Sequence, residues 1–329
     1  MSVLHSRILN DLDRIRQEAG IEKLNYTFHD IVQKEPQKAL ELINDGKLHF
    51  PTLFVLQPEI EKSELGAHLN RRNTIALQTS KAILLGKGSE SEYWISDQEA
   101  MTYPVLKWML ETGYLDDGMN DQYDKVLDIT ALILVRIFKD KTILSTIADL
   151  IFLRNRKDGF LYDLIWGLFE TRTPYSLMLI GQRLRSSGSK DQNLAKKLLS
   201  FIPGLKEQDD PKKLYNNFLH WLDENCLFFR YTGESFQLTQ RPVPYVIVWE
   251  AKYLCRVVNV DTGEMMMPLT EKETKLLDQF KRLEDTDKIL LANCSYHLYR
   301  KDSNWWRNWI DSPVLQQIKT AKAILGGVS

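Results

Sequence analysis

The sequence predicts a mainly α protein: stacked antiparallel helices in a solenoid-like arrangement, with a small antiparallel β insert near residues 227–262. Three observations predict it. Apolar residues recur at three- and four-residue spacings over most of the chain. The segments with that spacing are short, and their links hold Asp, Asn, Gly, Ser or Pro, which makes neighbouring helices antiparallel. From Cys226 to Gly263 the pattern changes to β-branched and aromatic runs bounded by turn residues. No fixed period or repeated signature accompanies the stacking.

Leu4, Ile8, Leu12, Ile15 and Ala19 share one helical face, and Gly20 is placed to end that helix. Pro36 suits the first turn of a second helix carrying Ala39, Leu40, Leu42 and Ile43, with Gly46 as its stop. Residues 49–58 contain two prolines and are expected to be extended, and Gly86-Lys87-Gly88-Ser89 reads as a break. Ser96-Asp97-Gln98-Glu99 is a capping box. Pro104 is expected to kink or split the segment that follows, which Gly113 ends. Six helices come next, over 123–139, 141–155, 159–170, 174–185, 191–201 and 211–225.

In the insert, residues 227–231 and 235–239 read as strands around a Thr232-Gly233-Glu234 turn. Residues 245–249 and 257–260 are further strands, and Arg241-Pro242-Val243-Pro244 is a loop. Helices resume at the capping box Thr270-Glu271-Lys272-Glu273, with Leu276, Leu277, Phe280 and Leu283 as the apolar face. Ser312-Pro313 opens a last helix carrying Val314, Ile318, Ala321 and Leu325, closed by Gly326. The changes of character divide the chain into an N-terminal helical region (1–100), a helical core (101–225), the β-rich insert (226–263) and a C-terminal helical region (264–329).

Charge sets limits on partners. The 329 residues include 43 basic and 44 acidic ones, so no global field draws the chain to nucleic acid or an anionic membrane. The distribution is uneven. Residues 111–128 hold six acidic residues and one basic, whereas 136–197 hold twelve basic and six acidic. Such paired segments fit docking with a protein partner, and the basic one is a possible nucleic-acid surface. Three cysteines, Cys226, Cys255 and Cys294, are too few and too scattered for a disulfide framework, which points to a reducing, cytoplasmic setting. Residues 1–20 lack the apolar run of a targeting signal, and the most apolar stretches, 126–138 and 143–153, are short and carry charge. No membrane partner is expected.

Chemistry-bearing patterns are sparse. Glu250 and Lys252 stand two apart at the end of an apolar run, and a Glu-x-Lys on a strand resembles the metal-dependent nuclease core of the PD-(D/E)xK type. That resemblance covers about ten residues and implies carboxylates holding Mg²⁺ and a lysine positioning water, with Asp223 or Glu234 as the upstream acid. The chain lacks the Pro-Asp expected on a preceding strand. On an alternating strand the same two residues would simply share a solvated face. The acidic loop from Asp116 to Asp121 fails the calcium-loop pattern in both registers, and reads as a turn with helix-capping side chains. No phosphate loop, nucleophile elbow or Cys-x-x-Cys is present, and His5, His29, His49, His68, His220 and His297 never stand at ligand spacing. No cofactor or metal is therefore expected, apart from Mg²⁺ under the nuclease reading.

Trp305, Trp306 and Trp309 fall on one helical face with Arg307 beside them. Exposed, they would anchor a protein partner or stack on nucleobases; buried, they would pack the C-terminal helices. The expectation is a macromolecule-binding scaffold or adaptor, with protein as its partner, rather than an enzyme. A nuclease using Glu250 and Lys252 and a structural subunit of a larger assembly are the alternatives.

Overall fold

The computed structural model describes residues 10–86, 99–116, 118–205 and 210–325. The protein is mainly α, with one two-stranded antiparallel sheet among the described residues. Its contacts divide it into two compact units, Met1–Thr171 and Arg172–Ser329.

The first unit begins with α1 (Asp11–Lys34), capped by the Asn10 side chain, which accepts from the Leu12 amide at 2.8 Å. Gly20 breaks this helix at φ 85°, and the chain then resumes helical geometry. Leu4 and Ile8 lie outside the described residues. Helix α2 (Pro36–Asn44) starts on its proline, as expected. Residues 49–58, expected to be extended, instead form most of α3 (Phe50–Lys62). Pro51 sits in the first turn, where its missing N–H is an orphan anyway. Pro58 lies inside the helix, a defect costing about 3 kcal/mol. Burial of Phe50, Leu53, Phe54, Leu56 and Ile60, at about 1.5–3 kcal/mol each, outweighs it.

Helix α4 (Arg71–Leu84) is capped by Asn70, α5 is Glu99–Gly113, and α6 (Asp121–Arg136) is capped by Asn120. The capping box at Ser96 and most of the Gly86–Ser89 break lie outside the described residues. Pro104 does not split α5. Gly113 ends it against α6: a Cβ there would stand 2.6 Å from the Tyr123 hydroxyl, which donates to the Gly113 carbonyl at 2.9 Å. Phe50 stacks on Tyr123 with centroids 5.7 Å apart. Helices α7 (Leu144–Arg156) and α8 (Tyr162–Glu170) complete the unit. Its buried polar centre links α1 and α3 to Asp116 at the start of the acidic loop. Thr52 donates to Asp13 at 2.5 Å, Arg16 donates to Thr52 at 2.9 Å, and Arg16 also forks onto Asp116 at 2.6 and 3.0 Å. Burial raises the Asp13 carboxyl above its ordinary pKa, against the Thr52 and His49 hydrogen bonds.

In the second unit α9 (Pro174–Gly181) passes into a 3-10 turn, followed by α10 (Ser189–Leu198) and α11 (Pro211–Asn225). Strand β1 (Phe229–Tyr231) pairs with β2 (Tyr245–Ile247), with Arg230 opposite Val246. The predicted strand 235–239 is a turn: the Leu238 and Thr239 amides both donate to the Ser235 carbonyl at 3.0 Å. The Glu234 carboxylate accepts from the Val243 amide at 2.9 Å, which closes the loop. Strand β2 is shorter than predicted. Helix α12 (Trp249–Tyr253) begins where the strand was expected to end, and the Lys252 amide donates to the Val248 carbonyl at 3.1 Å.

Helix α13 (Glu271–Lys281) opens on the predicted capping box. Helices α14 (Asp285–Lys301), α15 (Ser303–Ile310) and α16 (Val314–Leu325) follow, and α14 packs against α12, α15 and α16. Gly326 lies outside the described residues. The core here gathers Tyr253, Leu277, Phe280, Leu291, Cys294, Leu298, Trp309 and Ile310. No helix among the described residues is long and apolar enough to cross a membrane; residues 126–136 and 144–153 belong to the packed helices α6 and α7.

Candidate functional site

Glu250 and Lys252 lie on α12, not on a strand. Lys252 is 1% exposed. Its ammonium donates to Asn225 Oδ1 at 2.7 Å and Asn293 Oδ1 at 2.6 Å, between the rings of Trp249 and Tyr296. Burial pushes its pKa down to about 8, against the opposing charge of Glu224. Neutral carboxamides, rather than a carboxylate, hold this amine. The acids proposed to join Glu250 are engaged elsewhere: Asp223 pairs with Arg300 at 2.5 Å, and Glu234 clasps its own loop. Among the described residues no group of three or more His, Cys, Asp or Glu side chains could hold a metal ion.

The tryptophans of α15 separate by depth. Asp302 caps the helix, accepting from the Asn304 and Trp305 amides at 2.8 and 3.2 Å. Trp309 is 4% exposed and belongs to the core, edge-on to Tyr253. Trp305 is 40% exposed. Trp306 lies between them, its indole N–H turned inward onto the Ser295 hydroxyl at 2.8 Å. Ser295 in turn donates to the Tyr253 carbonyl at 2.5 Å. This relay leaves the apolar body of the Trp306 ring, rather than its polar edge, for the outer side.

On that side lies an open cavity of about 270 Å³ between the start of α13 and α15. Leu254, Leu276, Trp306 and Ile310 supply apolar walls, and Lys272, Glu273, Arg307 and Asp311 supply charge. Three of these charges are already balanced. Lys272 pairs with Asp311 at 2.5 Å, and Glu273 accepts from the Arg256 guanidinium at 2.6 Å. Burial works to raise the Glu273 carboxyl, but the Thr270 amide and hydroxyl and Arg256 outweigh it and hold its pKa below the ordinary value. The exposed guanidinium of Arg307 makes no hydrogen bond or ion pair within the described residues. Arg256 also reaches the Met267 sulfur at 4.0 Å, so the exposed pair Met266 and Met267 borders this region.

Of the predicted contact residues, the structure brings Trp306 and Arg307 to the cavity, leaves Trp305 on the surface and takes Trp309 into the core. Sequence reading missed Leu254, Lys272 and Asp311 as cavity residues. The capping box at Thr270 and the apolar Leu276 were visible, but only as features of a helix. The basic stretch 136–197 divides between the two units. Several of its cations are committed internally: Arg154 to Asp128 at 2.7 Å, Arg172 to Asp261 at 3.1 Å, Arg136 over Trp166 and Arg185 over Tyr215. No family model, curated protein or solved structure matches the chain.

Proposed function

We propose that this chain is a cytoplasmic protein-binding scaffold or adaptor, and that its second unit grips a partner at the cavity between α13 and α15. The observation that carries the reading is an open, mostly apolar cavity walled by the ring of Trp306, with the exposed Met267 linked to its edge through Arg256 and Glu273. Its volume falls just under the ~300–1,000 Å³ typical of small-molecule sites. It suits one inserted side chain better than a cofactor. Tryptophan and arginine are the residue types that dominate protein contacts, and methionine adapts to varied partners. The three cysteines are free thiols, as a reducing compartment requires.

The test is affinity purification from the native cell with wild type, Leu276→Trp and a distant control, Leu115→Ser. Leu276→Trp fills the cavity, whereas Leu115 is exposed on the first unit. A set of proteins retained by wild type and the control but lost from Leu276→Trp supports the reading, provided all three melt within about 2 °C of one another. An unchanged set rules the cavity out as the contact, and a set released by nuclease treatment replaces a protein partner with nucleic acid.

A further inference from the structure

The charges around the cavity say more about its occupant. We propose that the cavity takes a bulky apolar side chain of an internal peptide segment while Arg307 binds the carboxylate of a neighbouring Asp or Glu. This rests on the protein-binding reading above.

Of the four charged residues lining the cavity, Lys272 and Asp311 neutralise each other across its rim, and Glu273 is matched by Arg256. Arg307 alone brings charge to the site without a partner among the described residues. The polar edge of Trp306 is spent on Ser295. A ligand therefore meets apolar walls and one uncompensated cation. A guanidinium presents a planar fork that matches a carboxylate with two parallel hydrogen bonds.

Two other anionic ligands are the alternatives. Phosphopeptide recognition draws on clusters of arginine, and the cavity lining holds one. A chain-terminal carboxylate is captured by free backbone amides. At the head of α13 the capping box uses two of the amides, since the Glu273 amide donates to the Thr270 hydroxyl at 3.2 Å and the Thr270 amide donates to the Glu273 carboxylate at 2.9 Å, which leaves those of Glu271 and Lys272 to a chain end. A side-chain carboxylate needs nothing beyond Arg307.

The experiment uses the full chain, labelled with ¹⁵N, and follows the indole signal of Trp306, identified by its loss in Trp306→Phe. The probes are acetylated, amidated tetrapeptides, Gly-Leu-Glu-Gly and its isostere Gly-Leu-Gln-Gly, and a third bearing Gln and a free C-terminal carboxylate. The Glu peptide should bind about fivefold more tightly than the Gln peptide, the size expected of one exposed ion pair. That preference should shrink as salt is raised from low to high concentration. Arg307→Gln should remove it while leaving the Gln peptide unaffected, and Leu276→Trp should abolish binding of both. Equal binding of Glu and Gln peptides, or a preference that survives Arg307→Gln, overturns the acidic specificity and leaves the protein-binding reading standing. Preference for the free carboxylate overturns the internal-segment assignment. If none of the peptides moves the Trp306 signal, the inference falls; if Leu276→Trp also leaves cellular capture unchanged, the reading beneath it falls too.

Discussion

Trp305 and Trp309 stand one turn apart on the same helix, yet one is 40% exposed and the other 4%. Trp309→Ala empties a core position and is expected to cost about 3–5 kcal/mol in urea unfolding. Trp305→Ala is expected to stay within about 0.5 kcal/mol. The indole N–H of Trp309 is buried without a hydrogen-bond partner among the described residues, so Trp309→Phe, which removes that donor, should cost well under the alanine figure. Lys252 makes a separate expectation about pH. Its folded pKa of about 8 lies below the unfolded 10.5, so between these values the unfolded chain binds a proton that the folded chain does not. Stability therefore rises with pH across that window, by about 3 kcal/mol in full, and the whole cost is present below pH 8. Burial also raises the Cys255 thiol to about 12 and the Cys294 thiol to about 11, which lowers stability above pH 9. Comparison with Lys252→Met removes that background. Wild type should gain on the variant as pH rises from 7 to 10, and parallel unfolding curves would show that the amine is not neutralised by folding.

At the scale of elements, close approach decides as much as periodicity does. A Cβ on Gly181 would lie 2.1 Å from Cε1 of Phe218, so α9 and α11 depend on the missing side chain. Gly181→Ala is expected to lose about 1–3 kcal/mol, measured by thermal unfolding with near-ultraviolet circular dichroism. Nothing in the sequence around Gly181 announces this, because the partner ring is 37 residues away. Local signals were legible where their causes are local: the capping box at Thr270, the prolines opening α2 and α11, and the glycine break at residue 20. They misled where burial overrode them. Two prolines suggested an extended 49–58, but five buried side chains hold α3 together. The predicted strand 245–249 stops at Ile247, and after Val248 the chain turns into α12, with the Val248 carbonyl accepting from the Lys252 amide. The cavity was legible only in part. Trp306 and Arg307 stood out by residue type, whereas Lys272 and Asp311 belong to it through folding that brings residues 39 apart together.

For the whole molecule, the division at Thr171 and Arg172 carries an expectation of its own. Each unit has buried apolar side chains of its own, as independent folding requires. A fragment of residues 172–329 is expected to melt cooperatively and to keep dispersed indole signals from Trp306 and Trp309. A fragment with native helix content but no cooperative transition would place the second unit's stability outside its own core. Within that unit, the sealed amine of Lys252 has a practical consequence. The folded state hides this amine from an acylating reagent, and opening exposes it as an ordinary lysine whose pKa returns to 10.5. Modification at that single position, read by peptide mass, therefore works as a clock. It runs only while the second unit is open, and its rate counts openings that spectroscopy of the average structure does not register.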